Sequence, residues 1–264
     1  MKKYFQVIRN TWLEMTTYRL NFVMWRIRVV LQILTMYFLW LALIPANMTL
    51  FGYSQSLMLT YILGTSLITS IVFSSRTQEI GENINSGDLS IFLIRPINYF
   101  YYWFSRDIGD KLMNTLFSIT ELFLLFIILH PPFFIQTKLL YLLLAFTSIL
   151  LGVLLYFLFG SLLGLIGFWS PEVWGPRFIF AIIMSFFAGG LFPLDILPKS
   201  IFNLFQFLPF PYLLYFPLRI YLGKSSNLEI LTGFAISLFW IFILYKTLLF
   251  VWKKGLKVYS AEGR

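Results

Sequence analysis

Residues 76–111 read RTQEIGENINSGDLSIFLIRPINYFYYWFSRDIGDK and hold nine of the chain's 31 charged residues (20 basic, 11 acidic). No charged residue occurs in the 47 positions before this island, from Val29 to Ser75. Charge is costly in hydrocarbon, so its clustering marks where a chain meets water or a soluble partner. The whole sequence is 59% hydrophobic, 20% aromatic and 12% charged over 264 residues, with mean hydropathy +0.81. Soluble domains carry about 25% charged residues, so this composition is that of an integral membrane protein.

Working outward from the island, six segments have the roughly 20 apolar residues that a hydrocarbon core of about 30 Å requires. They are Asn21–Ile44, Gln55–Ser74, Leu112–His130, Leu139–Phe168, Arg177–Leu191 and Ile230–Val251, the fifth being short and glycine-interrupted. Proline and glycine in PANMTLFGYSQS (45–56), HPPFFIQTK (130–138) and WSPEVWGP (169–176) punctuate them. The expected fold is an all-α integral membrane protein with six transmembrane helices. An even count puts both termini on the island's side, and sixteen of the 20 lysines and arginines then share that side. The other side keeps Lys138, Lys199, Arg219 and Lys224. The positive-inside rule makes the richer side cytoplasmic, with a multi-pass topology and both termini inside. The basic residues flank apolar runs instead of forming a soluble basic surface, so the net charge of +9 does not point to nucleic acid.

Two further segments stand out. Residues 1–20 lack the apolar core and cleavage site of a signal peptide. Phe5, Ile8, Trp12 and Met15 follow helical spacing there, as in a helix lying in the membrane interface. Residues 192–229 are too apolar for an external loop, yet Pro193, Pro198, Pro209, Pro211 and Pro217 interrupt any continuous span. Short helices re-entering the outer leaflet satisfy both facts, provided neighbouring helices cover their backbone ends.

Enzyme signatures are poor. Gly223-Lys224-Ser225 is the only fragment of a phosphate-binding loop, and Leu218 stands where the first glycine belongs. The chain has no cysteine and one histidine, His130, which excludes thiol chemistry and a multi-histidine metal centre within it. No catalytic residue, cofactor site or metal site is assigned. The most informative intramembrane polarity is Asp107, Lys111, Asn114, Ser118 and Glu121, spaced 4, 3, 4 and 3 residues apart on one helical stripe. An ionised Glu121 in mid-span costs roughly 2.5–3.5 kcal/mol unless it faces protein or water. Asn114, Ser118 and Glu121 therefore line a substrate path or hold a polar contact inside the bundle. GSLLGLIG (160–167) places Gly160, Gly164 and Gly167 for close helix approach. Within the island, Gln78–Asn85 forms a short helix, Ser86-Gly87-Asp88 stops it and starts another, and the aromatic Tyr99–Phe104 returns along the headgroup layer. A polar helix protruding between long spans suits either docking to a soluble protein or a solvated loop.

Three stretches carry a family resemblance: INSGDLSIFLIRPINYFYYWFSRDIGDKL (84–112), FPLDILPKSIFNLFQFLPFPYLLYFPLRIYLGK (192–224) and the C-terminal WKKGLKVYSAEG (252–263). With the N-terminal helix and six spans, the sequence resembles the permease subunits of bacterial ABC-2-type ABC transporters, in particular those encoded as permease pairs. The resemblance implies one transmembrane domain over 1–264, an N-terminal interfacial helix at 1–20, a cytoplasmic coupling helix at 76–89 and external re-entrant helices at 192–223. It implies ATPase docking through Arg76, Glu79, Glu82 and Asp88. A separate cytoplasmic ABC ATPase dimer then binds ATP and Mg, a second permease subunit completes the path, and export proceeds by alternating access in the bacterial inner membrane. The aromatic and aliphatic richness favours an amphipathic or lipid-like cargo. Two readings from other classes remain, an intramembrane enzyme using Glu121 with His130, and a cargo-free membrane anchor or sensor.

Overall fold

The computed structural model describes residues 2–17, 19–46 and 48–260. Eleven helices and one two-stranded hairpin are found among them: α1 Lys2–Thr17, α2 Arg19–Leu43, β1 Thr49–Leu50, β2 Tyr53–Ser54, α3 Gln55–Val72, α4 Gln78–Asn85, α5 Leu89–Ile94 and α6 Tyr99–Leu129, followed by α7 Leu139–Gly164, α8 Trp174–Phe187, α9 Lys199–Phe205, α10 Tyr215–Tyr221 and α11 Asn227–Val258. Short 3₁₀ turns lie at Leu165–Phe168, Leu194–Ile196 and Phe210–Leu213. The chain is an all-α membrane protein in which α2 (from Phe22), α3, α6, α7 continued by its 3₁₀ turn, and α11 are five helices long and apolar enough to span a membrane.

Hydrogen bonds sort the connections into two ends of the bundle. At the island end, Lys3 donates to the Pro96 carbonyl at 2.6 Å. There too, the Tyr259 hydroxyl donates to the Gly87 carbonyl at 2.7 Å and accepts from the Ser90 amide at 3.1 Å. Both described ends of the chain therefore lie beside the island. At the opposite end, Tyr53 donates to Asp195 at 2.9 Å, Lys224 to the Gly52 carbonyl at 2.6 Å, and Gln136 to the Tyr221 carbonyl at 2.8 Å. Arg264, counted above among the basic residues, lies outside the described residues.

The residues of the expected span 177–191 fall largely on α8, which has only 14 residues, about 21 Å of helix, and is not among the five helices long enough to cross. In its first turn Arg177 donates to the Thr77 carbonyl, and just past its end Gly189, at φ +83°, offers its carbonyl to the Tyr61 hydroxyl at 2.6 Å. Glycine supplies the left-handed conformation that turns the chain there. The following segment packs short helices against α3 and α7. Leu213, Leu214 and Ile220 are fully buried, and Gly152 of α7 lets the chain at Leu213 approach closely.

The third long helix departs from its expected start. Residues 99–104 are already helical. They form the root of α6, a 31-residue helix about 46 Å long. Tyr99 stacks on Trp252 of α11 with ring centroids 4.9 Å apart, and Phe100 meets the same indole edge-on. The lower half of α6 is flanked by α1, where Gly109 lies under the Ile8 carbonyl and Thr11. The buried face of α1 runs through Thr11 and Met15, while Phe5 and Leu13 are exposed.

Candidate functional site

Helix α4 occupies the residues expected of it, Gln78–Asn85. Its position is set by the glycine face of α7. A Cβ on Gly160 would sit 2.2 Å from Thr77 Oγ1, one on Gly164 2.7 Å from Ile80 Cβ, and one on Gly167 2.9 Å from the Gly81 carbonyl. Only glycine permits that approach, so GSLLGLIG is the seat of the island's first helix. Gly87, at φ +83°, breaks the backbone between α4 and α5. Asp88 does not cap α5 through its side chain; it accepts from Ser86 at 2.7 Å.

The four residues expected to dock an ATPase divide into two kinds. Gln78, Glu82, Ser86 and Asp88 are exposed and form the polar outer surface of the island. Arg76 and Glu79 point inward, with side-chain exposures of 20% and 21%, and begin a continuous charged network. Arg106 on α6 bridges Glu14 of α1 at 2.6 Å and Glu79 of α4 at 3.1 Å. Arg76 contacts Glu79 at 2.9 Å and Asp110 at 3.0 Å. Burial alone would lower the Arg76 pKa, but the carboxylates of Asp110 and Glu79 outweigh it and hold the guanidinium above its ordinary value. Asn114 donates to Asp110 at 3.2 Å and accepts from Arg26 of α2 at 3.5 Å. Arg26 closes the series on Glu121 with Nε to Oε1 at 2.6 Å and a second contact from Nη2 to Oε2.

The stripe on α6 is thus buried against protein, and Asn114 and Glu121 join through Arg26. Ser118 is fully buried on the same face, and its hydroxyl has no hydrogen-bond partner among the described residues. A second branch uses Lys111, which lies 3.2 Å from Asp107 and donates to the Val72 carbonyl at 2.7 Å and to that of Ser74. Asp107 in turn accepts from the Arg76 amide at 3.3 Å. Lys111 therefore caps the end of α3, and Asp107 fixes the turn into α4.

Arg26 is the residue that sequence reasoning missed. By sequence it counts only as one of the basic residues expected on the island's side. The available signal was an arginine six positions inside an expected span, opposite a lone acid in another. Glu121 is committed to that arginine, and His130 is an exposed left-handed cap at the end of α6, about 13 Å of helical rise away. The structure assembles no acid–base pair from them.

Between α2 and α8 lies a cavity of about 930 Å³ with α3 and α7 behind it. Arg26, Arg28, Arg76, Asp110, Asn114 and Arg177 line its island end. The charged network thus forms part of the cavity wall, linking it to α4 and α1.

The sequence profile described as ABC-2 family transporter protein matches residues 30–263. The chain belongs to the ABC-2 transporter family. No curated relative matches it. As an ABC-2 permease it is the membrane component of an ABC transporter. The matched stretch of this ABC-2 protein contains the island, the glycine seat and the α6 stripe. Glu14, Arg26 and Arg28 precede it.

Proposed function

We propose that this ABC-2 permease is the transmembrane half of an ATP-driven exporter, with α4 as the coupling helix. The observation carrying this reading is that α4 shows a polar outer face while its inner face is locked to α7 and wired through Glu79, Arg76 and Asp110 to the cavity. Force applied to α4 reaches the cavity wall through packed glycines and buried ion contacts, which favour discrete arrangements over gradual deformation. The driver is a cytoplasmic ABC ATPase dimer that binds ATP and Mg. A second permease subunit, identical or paired, encloses the path, and alternating access moves an amphipathic or lipid-like cargo outward.

In this proposal α8 is the sixth crossing, completed by the turn at Gly189. Both ends of the chain and the island then face the cytoplasm of a bacterial inner membrane, in keeping with the lysine and arginine distribution. The exposed apolar residues Phe5 and Leu13 of α1 seat it in the acyl layer, and α9 and α10 form the external re-entrant region.

The test is pull-down of the native complex followed by reconstitution. An ABC ATPase is expected in the pull-down, and the permease alone is expected to hydrolyse no ATP. Glu82→Lys with Asp88→Lys is expected to abolish transport-coupled hydrolysis without lowering the melting temperature, since both side chains are exposed. Full coupling in that variant excludes the outer face of α4 as the docking surface.

A further inference from the structure

We infer that the cavity between α2 and α8 receives an anionic amphiphile, its phosphate-like head beside Arg28 and Arg177 and its hydrocarbon toward the far end. The inference deepens the exporter reading and rests on it for the claim that the occupant is cargo.

Charge bookkeeping within the wall carries the argument. Of the four arginines lining the cavity, Arg26 is matched by Glu121, and Arg76 by Asp110 and Glu79. Arg28 and Arg177 have no acidic partner within ion-pair distance among the described residues. Arg28 is exposed, with its guanidinium 4.9 Å from the Trp25 ring centroid. Arg177 uses Nη2 for the Thr77 and Gly160 carbonyls at 2.6 and 3.0 Å, while Nε has no partner. Two arginines without an acidic partner in one cavity wall suit an oxyanion, which arginine binds with several N–H groups at once.

The rest of the wall fits a chain attached to that head. Ile33 and Met36 on α2, Phe180 and Ala181 on α8, and Leu214 give the cavity an apolar surface, interspersed with the small polar side chains Thr65, Ser66, Thr69 and Ser185 and with Gln32. Met36 lies eight residues beyond Arg28 on one helix, about 12 Å along its axis, enough for most of an extended eight- to ten-carbon segment. A free inorganic anion would leave these apolar side chains uncovered, and a neutral amphiphile would leave both arginines without a counter-charge.

The test uses the full chain in phosphatidylcholine nanodiscs with a fluorescent lysophosphatidate probe. Unlabelled lysophosphatidate is expected to displace the probe, while lysophosphatidylcholine and inorganic phosphate require at least tenfold higher concentrations. Arg28→Gln should weaken binding about tenfold through loss of one charge-assisted contact. Arg28→Lys should recover part of that loss, and Lys253→Gln, on the exposed end of α11, should change nothing. Equal displacement by lysophosphatidylcholine would make the site a plain apolar groove, and equal displacement by inorganic phosphate a free-anion site. Absence of saturable binding would mean that the groove is covered by a second copy of the chain or takes another cargo. Unchanged affinity in Arg28→Gln places the head elsewhere. Each of these outcomes overturns the inference. Binding needs no ATPase, so failure here leaves the exporter reading standing. A chain that binds lysophosphatidate yet recruits no ATPase keeps the site and ends that reading.

Discussion

Replacing Glu121 by glutamine tests whether the acid in the third long helix is structural. The Arg26 and Glu121 side chains are only 8% and 14% exposed and meet through two contacts. Removing one partner of a buried pair costs about 3–5 kcal/mol, because the remaining charge is left desolvated and unmatched. Two features reduce that figure here. Arg26 borders the cavity, where water can reach it, and the glutamine oxygen still accepts one hydrogen bond. The contact to Asn114, at 3.5 Å, is too long to substitute. A loss of about 2–3 kcal/mol is therefore expected, which lowers the melting temperature of a domain this size by about 5–10 °C. Arg26→Met combined with Glu121→Leu removes both charges, and most of the stability should return. Tryptophan fluorescence melts in detergent and in nanodiscs read the effect, and the double-mutant cycle isolates the pair. A single variant that melts with the wild type refutes the structural assignment, as does a double variant no better than the sum of the two single losses. If Glu121→Gln abolishes turnover at unchanged stability, Glu121 acts on cargo instead.

Three other outcomes follow from the geometry. Gly164→Val drives a side chain into Ile80 and should cost about 1–3 kcal/mol by overpacking; it should also shift α4, read as faster proteolysis of the island and lost coupling, while Gly175→Ala, which meets open space, is silent. Tyr259→Phe removes the hydroxyl that holds Gly87 and Ser90 and should cost about 1 kcal/mol, with faster amide exchange at Ser90 as the site-specific readout. Single cysteines introduced at Ser86 and Asn227, both exposed and in a chain without native cysteine, should label from opposite faces of the membrane; labelling from one face contradicts the six-crossing topology.

What the sequence disclosed and what it hid divide along physical lines. Helix α4 was legible to the residue because local signals bound it, with a polar run ending at Ser86-Gly87. The short helices after α8 were legible because prolines forbid one long helix there. The start of α6 was misplaced by thirteen residues, since Tyr99–Lys111 is polar and aromatic for contact with protein, and hydropathy registers only contact with lipid. The shortness of α8 was legible in the glycines that interrupt its segment, and the structure adds that Gly189 makes the left-handed turn. Arg76 and Glu79 were assigned to an outer surface, and only tertiary packing could show that they point inward while Glu82 and Asp88 point out. The Arg26–Glu121 pair spans 95 residues, a separation that no local pattern reports.

That pair also constrains how the protein is made. Arg26 belongs to the first long helix and Glu121 to the third, so its counter-charge does not exist while α2 and α3 are entering the bilayer. The guanidinium must wait near the headgroups, where its position seven residues from the start of α2 allows the side chain to reach water. Only when α6 arrives can the first helix settle to its final depth. Helix α2 is therefore held provisionally until half the chain has been synthesised, and a nascent chain stalled before Glu121 presents an unmatched arginine to membrane quality control.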